Sequence, residues 1–468
     1  MDMSSTAQVR VDAPTRRARP SDIAEAQTAA SGTRRRVPFT TRRRRVTATD
    51  RPESSVGTRH STRVVRACCV VLAVHIVTDS FVQLRAGTSP GDHLVSGTVP
   101  VVVIALAAAL FGGLRAGATA TIALVLGVAA VIGGAGAPGT AFLHGRIDLS
   151  TTTGAVGTIA GIVLVAVGMA TLYRSRRKGG TRMRRWSRRT GRGLLGLALA
   201  LFVSAPIGMG YVVANRSHPA GPDVDLGQAH ENITFETEDG LTLAGSYVRS
   251  RNGAAVIVFP GRSGRHTSSR ARLLQRHGYG VLVFEPRGQG DSDGDPNLLG
   301  WSGEEDLRAA IRYLQSRPDV EPDRIGGLGL SVGGELMLQT AAHDPDLRAV
   351  VSEGAGTRWA AEDLHTPAPA NLIQLPFSTM ATLATAVFTD SLPPARIEDL
   401  VDDIAPRPIL LIWTPNGVGG EWFNPRYFDL AGEPKSIWEI PDSSHTNGLA
   451  TRPAEYEQRV VEFFDAAL

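Results

Sequence analysis

The sequence predicts two architectures in one chain. Residues 63–215 are expected to form an α-helical transmembrane region of about five spans, and residues 216–468 an α/β domain whose mostly parallel sheet carries helices on both faces. Long apolar stretches occur in the first part, whereas strand and helix patterns alternate in the second. The charge divides at the same point: residues 1–215 contain 28 Lys+Arg against 9 Asp+Glu, and residues 216–468 contain 21 against 36.

The first 62 residues are rich in Arg, Thr, Ser, Ala and Pro and contain arginine runs at 34–36 and 42–45. A segment with this composition and no apolar periodicity is predicted to be a disordered tail. Its charge suits anionic lipid at the cytoplasmic face of a membrane, with nucleic-acid binding as the alternative. Because the second half of the chain is acidic, no nucleic-acid partner is predicted.

Five apolar stretches follow, each near the roughly 20 residues that a helix needs to cross a bilayer. They cover residues 66–84, 95–114, 117–136, 152–173 and 193–214. The loop 174–192 contains ten basic residues and no acidic one, which places this loop and the tail in the cytoplasm. Five spans then place residues 216–468 outside the cytoplasm, as a domain anchored in the cell membrane.

Few residues in the apolar stretches carry chemistry. The two cysteines of the chain, Cys68 and Cys69, are adjacent, which gives neither a disulfide framework nor a cysteine zinc site. His75 and Asp79 lie one helical turn apart, and such a pair can mark an ion or proton path. Because Asp79 lies near the outer end of its stretch and no other stretch offers an ionisable residue at depth, we favour an anchor over a transporter.

The α/β domain is predicted to open with a hairpin over 233–237 and 241–248. Strands are then expected at 255–259, 280–285, 324–330, 348–353, 408–414 and 435–440, and helices at 267–277, 303–316, 332–343, 424–431 and 453–467. Such alternation favours a parallel sheet covered on both faces. Residues 355–396 interrupt the order and are predicted to form a small helical lid over the carboxyl edge of the sheet.

A Gly-x-Ser-x-Gly motif occupies residues 329–333, between a predicted strand and a predicted helix. This context is typical of a nucleophile elbow, in which a tight turn presents the serine hydroxyl above the sheet. Ser331 is therefore the candidate nucleophile for acyl transfer. The alternative is a glycine-rich turn without catalytic function in another kind of α/β protein.

With this motif in place, residues 231–468 resemble the α/β-hydrolase superfamily, in which serine, acid and histidine follow one another along the chain. The resemblance implies that His445, after the last predicted strand, is the base. The acid is expected after strand 408–414, where Thr414-Pro415-Asn416-Gly417 offers no carboxylate. Glu421 is the first carboxylate beyond it, and Asp429 is the alternative. Backbone N–H groups of Val332 and Arg262 are implied as donors to the oxyanion.

Together these observations predict a membrane-anchored serine hydrolase that cleaves an ester, thioester or amide through an acyl-enzyme. A small-molecule or lipid acyl compound is the expected substrate, and neither a cofactor nor a metal is implied. Two alternatives remain open. The same residues can transfer the acyl group to an alcohol or amine, and the domain can be an inactive binding module of hydrolase-like fold.

The predicted topology is testable with a reporter enzyme that is active only outside the cytoplasm, fused after Leu468. We expect reporter activity, since five spans separate the tail from the α/β domain. Replacing the ten basic residues of loop 174–192 should weaken the orientation, whereas replacing Arg85 and Arg146 should not. The topology would be contradicted if this fusion were inactive while a second reporter, active only in the cytoplasm and fused at the same position, were active.

Overall fold

A computed structural model describes residues 54–143, 147–174, 182–216, 226, 229–262, 267–365 and 369–468. Residues 1–53 of the predicted tail lie outside the described residues. The first helix begins at Ser54, so the last nine residues of the predicted tail, 54–62, are helical. These residues extend the first apolar helix at its polar end, which a criterion of apolar composition does not detect.

Five helices in the described part of the chain are long and apolar enough to cross a membrane, which confirms the predicted number. They belong to α1 (Ser54–Val77), α2 (Leu94–Leu110), α3 (Ala116–Leu143), α4 (Leu149–Arg174) and α5 (Arg182–Asn215). Helix α5 starts within the predicted basic loop, so residues 182–192 are helical. Small residues allow close packing here: a Cβ added to Gly127 of α3 would lie 2.7 Å from the Gly161 carbonyl oxygen of α4.

A polar cluster lies among the apolar helices. The two ring nitrogens of His75 lie 3.1 Å from Thr153 Oγ1 and 3.0 Å from the Tyr211 hydroxyl. Tyr211 in turn lies 3.4 Å from Asp79, which also accepts a hydrogen bond from Ser150. Tyr211, a weak acid of α5, joins this cluster four residues before that helix ends at Asn215, so the expectation that no other span offers an ionisable residue at depth stays a prediction.

The α/β domain contains one eight-stranded sheet in the order β1-β2-β4-β3-β5-β6-β7-β8. Its strands are β1 (Glu231–Glu236), β2 (Thr242–Val248), β3 (Ala255–Phe259), β4 (Gly280–Phe284), β5 (Ile325–Leu330), β6 (Ala349–Glu353), β7 (Ile409–Trp413) and β8 (Lys435–Glu439). The first three strands in spatial order pair antiparallel, and all later pairs are parallel. The predicted hairpin and mostly parallel sheet are confirmed.

Helices cover both faces of this sheet. The helices of the described part of this domain are α6 (Thr267–Arg276), α7 (Gly303–Gln315), α8 (Val332–His343), α9 (Ala370–Phe388), α10 (Ile397–Leu400), α11 (Asn424–Leu430), α12 (Gly448–Thr451) and α13 (Pro453–Ala467), of which α9 lies away from the sheet. Alternate residues of β3 pack into two separate cores: Ile257 joins α7 and α8, whereas Val256 joins α6 and α13. Burial on both faces explains the continuous apolar sequence of the central strands.

The predicted lid, residues 355–396, contains a 3₁₀ helix at Ala360–His365 and the longer helix α9. The lid does not lie over the sheet edge along its whole length as predicted, because α9 packs in parallel along α5. The Phe377 and Phe202 rings lie 6.1 Å apart, and the Phe388 and Tyr211 rings 5.4 Å apart. Asp390, which follows α9, accepts hydrogen bonds from two backbone N–H groups at the start of α2. The lid is therefore attached to the apolar helices.

A second contact joins the α/β domain to the loop between α1 and α2. Gly294 N–H donates to the Ala86 carbonyl at 2.8 Å, and Arg85 lies 3.5 Å from Asp295. Leu298 N–H donates to the Val213 carbonyl near the end of α5. The α/β domain thus lies on the side of the apolar helices where α1 and α5 end.

Close approach of α5 and α9 depends on Gly210. A Cβ at this position would lie 2.7 Å from Thr385 N, and backbone atoms cannot move aside as a flexible side chain can. We expect Gly210→Ala to destabilise the α5–α9 contact by about 1–3 kcal/mol, the usual range for overpacking. The thermal midpoint of the full chain in detergent measures the effect.

Gly193→Ala is the matched control on the same helix, since a Cβ there meets nothing within 4 Å. An equal loss of stability in both variants would show that the helix, and not its contact with α9, is responsible.

Candidate active site

Ser331 lies between β5 and α8 in a strained backbone conformation, with φ of 55° and ψ of −122°. A positive φ at a residue other than glycine costs about 1–3 kcal/mol and persists where the surroundings enforce it. The two glycines of the motif, Gly329 and Gly333, help to enforce this conformation, because each lies so close to neighbouring backbone that a side chain would not fit. A Cβ on Gly333 would lie 2.6 Å from the Pro260 carbonyl oxygen, and a Cβ on Gly329 would overlap the Gly333 carbonyl. The turn therefore presents the Ser331 hydroxyl at the carboxyl edge of the sheet.

His445 forms hydrogen bonds on both sides of its ring. Its Nε2 lies 2.9 Å from Ser331 Oγ, and its Nδ1 lies 2.6 Å from Glu421 Oε2. A carboxylate accepts, so the proton of the neutral ring resides on Nδ1, and Nε2 is left to accept the serine proton. Glu421 is 1% exposed and its other oxygen accepts the Thr414 N–H at 2.9 Å. The carboxylate is thus fixed from two sides.

The two candidates for the acid occupy different places. Glu421 starts a short 3₁₀ helix after Gly419 and Gly420, whose φ values of 70° and 88° let the loop turn its carboxylate inward. Asp429 lies on α11 with an exposed side chain, and its carbonyl faces Lys435. The structure therefore brings Glu421, and not Asp429, to His445.

Backbone donors surround the serine as well. Val332 is the first residue of α8, so its N–H has no acceptor within the helix. The turn after β3 lies against Ser331: a Cβ on Gly261 would come 3.0 Å from Ser331 Cβ. Arg262, the second predicted oxyanion donor, follows in this turn and is exposed, and residues 263–266 lie outside the described part.

Sequence reasoning missed a buried ion pair beneath the site. Arg270 of α6 contacts Glu353 at the end of β6 at 2.7 Å, with both side chains no more than 3% exposed. The Tyr456 hydroxyl of α13 donates to the same carboxylate at 2.7 Å. Burial alone would lower the pKa of Arg270, but the neighbouring Tyr456 and Glu353 raise it overall, so the guanidinium stays charged.

This ion pair holds the loop that carries His445. Arg270 donates to the Thr446 carbonyl at 3.0 Å, and Glu353 accepts the Gly448 N–H at 3.0 Å. Thr446 has a positive φ of 53°, which a freely moving loop would avoid. We infer that Arg270 and Glu353 are positioning residues for the histidine. Their separation of 83 positions in sequence gives no local pattern that could have revealed the pair.

Two other polar residues of interest have structural partners. Arg287 contacts three carboxylates, those of Asp239, Glu305 and Asp306. Glu335, one turn beyond the serine, is bound by Arg358 at 3.2 Å and by the Gly356 N–H at 3.1 Å. Both therefore have structural ion-pair partners, and Glu335 fixes the base of the lid.

The sheet order, the elbow after β5 and the positions of Glu421 and His445 at the carboxyl edge define a class of protein. The C-terminal half of the chain has the α/β-hydrolase fold and follows an N-terminal region of apolar helices. The profile of the family described as X-Pro dipeptidyl-peptidase (S15 family) matches residues 213–400. This match includes Ser331 and ends before Glu421 and His445.

Individual proteins resemble the same half of the chain. The uncharacterized protein YfhR of Escherichia coli K12 is 26% identical over 251 residues, which are 51% of this chain and 81% of that protein. Thiohydrolase aneE of Aspergillus aculeatus is 30% identical over 131 residues, 27% of this chain and 41% of that one. The crystal structure of the α/β hydrolase GrgF from Penicillium sp. sh18 superposes with a TM-score of 0.43 at 21% identity, covering 51% of this chain and 99% of GrgF.

The buried ion pair yields a stability prediction. Arg270→Gln leaves the Glu353 carboxylate buried without its cation, and breaking such a pair usually costs about 3–5 kcal/mol. Denaturant unfolding of the full chain in detergent measures the loss. Arg276→Gln, on the same helix, removes an ion pair with Glu457 that is largely exposed and should cost less than about 1 kcal/mol. Equal effects of the two substitutions would contradict the role assigned to the buried pair.

Proposed function

We propose that this protein is a membrane-anchored serine hydrolase in which Ser331 is the nucleophile, His445 the general base and Glu421 the carboxylate that orients it. The observation that carries the proposal is the continuous hydrogen-bonded chain from Ser331 Oγ through both nitrogens of His445 to Glu421. A nucleophile bonded to a base that a third group orients is the arrangement that nucleophilic catalysis requires.

In the first step the Ser331 oxygen attacks the carbonyl carbon of the substrate while His445 Nε2 takes the hydroxyl proton. The electrons of the C=O π bond move onto the carbonyl oxygen, which becomes an oxyanion. The backbone N–H groups of Val332 and Arg262 are the proposed hydrogen-bond donors to this oxyanion. The intermediate then collapses, the bond to the leaving group breaks, and His445 gives its proton to the departing oxygen, sulfur or nitrogen. The product is an ester between Ser331 and the acyl group.

Water then hydrolyses this ester, with His445 again acting first as base and then as acid. His445 takes a proton from water, the resulting hydroxide attacks the acyl carbon, and the proton returns to the Ser331 oxygen as it leaves. The Glu421 side chain orients the ring and stabilises the imidazolium that forms twice in each cycle. Its burial excludes water that would otherwise weaken this interaction.

We favour an ester or a thioester as the substrate class, and the same mechanism can also cleave an amide. A relative named as a thiohydrolase supports thioesters, and the match to a peptidase family supports amides. Transfer of the acyl group to an alcohol or amine in place of water uses the same residues, and product analysis distinguishes it.

We further propose that residues 1–62 are the cytoplasmic tail, 63–215 the anchor and 216–468 the catalytic domain outside the cytoplasm of the cell, with the lid at 355–396. The basic segments support the orientation. Asp295 and Gly294 contact the loop between α1 and α2. This loop follows the first span, so it lies on the same side of the membrane as the chain after the fifth span, which supports the proposed position of the α/β domain.

Kinetics of substituted proteins test the proposal. Ser331→Ala and His445→Ala should each lower kcat for a p-nitrophenyl ester by several orders of magnitude, and the double substitution should be scarcely worse, because the two residues act as one unit. Glu421→Gln should lower kcat by roughly 10²–10⁴, since an orienting group contributes less than the reacting ones.

Asp429→Asn is the matched control, because its carboxylate is exposed on α11 and should change kcat little. Full activity in Glu421→Gln with loss in Asp429→Asn would move the acid to Asp429. Full activity in Ser331→Ala would refute the mechanism, and a folded wild-type protein without activity on any acyl probe would favour the binding module.

A further inference from the structure

Among the described residues of the α/β domain, 226, 229–262, 267–365 and 369–468, large exposed apolar side chains all lie between positions 359 and 430. Eight of the nine belong to the lid or to the loop that carries Glu421, and we call these eight the apolar collar. The collar consists of Trp359, Leu364, Leu372, Ile373, Leu383, Leu392, Val418 and Trp422. The ninth, Leu430, lies outside it.

Helix α9 carries part of the collar and contains no charged residue over its 19 positions. From Phe377 to Phe388 it runs beside α5, a distance of about 16 Å at 1.5 Å per residue. Helix α5 contains one of the five candidate spans, so α9 lies beside a helix whose outer surface is suited to lipid. A contact of this length reaches about half of the hydrocarbon thickness of a bilayer.

The exposed side of α9 has the same character as the neighbouring span. Leu372 and Leu383, which lie three turns apart on one face of α9, are 74% and 62% exposed. Leu199 and Leu201 of α5 are 55% and 45% exposed. Because both exposed surfaces are apolar and neither α9 nor residues 193–215 of α5 contain a charged residue, the occupant that fits them is the acyl region of the bilayer.

The collar also reaches the candidate active site. Val418 and Trp422 flank Glu421, and the Thr357 N–H at the base of the lid donates to the Gly419 carbonyl at 3.1 Å. On the other side of this contact, a Cβ on Gly354 would lie 3.2 Å from His445 Cε1. Apolar side chains therefore continue from α9 to the loop that holds Glu421 against His445.

From this continuity we propose that the substrate resides in the membrane: a lipid ester with a long acyl chain that reaches Ser331 from the bilayer along α9 and the collar. The inference rests on the proposed hydrolase activity and specifies its substrate class. It assigns α9 a role as a fixed guide immersed in lipid.

The test compares two esters with the same leaving group, using the full chain in lipid nanodiscs: p-nitrophenyl palmitate dissolved in the disc and p-nitrophenyl acetate in water. Wild type should hydrolyse the palmitate with the higher kcat/KM. The double substitution Leu372→Asp with Ile373→Asp should lower kcat/KM for palmitate by about 10–100-fold, as expected for charge placed against lipid, and leave acetate nearly unchanged. Leu430→Asp, outside the collar, should change neither.

These outcomes separate the two proposals. Hydrolysis of acetate that exceeds hydrolysis of palmitate in wild type, or an equal loss on both esters in the double variant, would overturn the lipid substrate and leave the hydrolase intact. Activity on either ester that survives Ser331→Ala would instead refute the proposed function.

A measurement independent of activity covers the case in which the aspartate variant does not fold. Spin labels at Leu372→Cys, Leu383→Cys or Leu430→Cys, in a chain with Cys68→Ala and Cys69→Ala, report access from lipid and from water. We expect the labels on α9 to be relaxed by oxygen and shielded from a water-soluble nickel chelate, and the label at position 430 to show the reverse. Access of the chelate to α9 would overturn the inference, as would shielding from both agents with spin–spin broadening, which would indicate a second copy of the chain.

Discussion

The strained backbone of Ser331 is the constraint around which the α/β domain is arranged. Its φ of 55° is held by two glycines that touch neighbouring backbone and by a hydrogen bond of 2.8 Å from its own N–H to the Glu353 carbonyl of β6. Strain of this kind persists only where many contacts oppose relaxation, and here β5 is fully buried between two cores. The same turn aligns the hydroxyl with His445 and leaves the first amide of α8 unpaired within the helix. One local geometry thus positions both the proposed nucleophile and a proposed donor to the oxyanion.

The remaining parts of the site reach the serine from distant segments, and each is fixed by buried polar contacts. Glu421 is held by the Thr414 N–H and by His445, and the histidine loop is held by Arg270 and Glu353. Since a buried charge without a partner is costly, these pairs give the loops one favourable arrangement. Glu353 has two functions in this scheme, because its backbone carbonyl binds the serine N–H and its side chain binds the histidine loop. The positions of His445 and Ser331 are therefore coupled through a single residue of β6.

Much of this arrangement was predictable, because local pattern determines it. The continuous apolar runs of β3 and β5 gave strand bounds within one residue, and the motif at 329–333 placed Ser331 at the turn between β5 and α8. What the sequence did not reveal depends on contacts between distant segments. Nothing near Arg270 indicates a partner 83 positions away, and nothing in the lid sequence indicates that α9 packs along α5. Helices α1 and α5 begin with polar residues, at Ser54 and Arg182, that the sequence analysis places in a tail and a loop. Apolar composition shows which residues can lie within a bilayer, but it does not show where a helix begins.

The central claim is that Ser331 carries the acyl group during turnover, and trapping that group tests it most directly. The full chain in nanodiscs is treated with a fluorophosphonate, digested and analysed by mass spectrometry to locate the modified residue. The account predicts one adduct, on Ser331 itself, that forms at a rate strongly reduced by His445→Ala. An adduct on a different serine with Ser331 unmodified, or labelling of Ser331 that is unaffected by loss of His445, would contradict it.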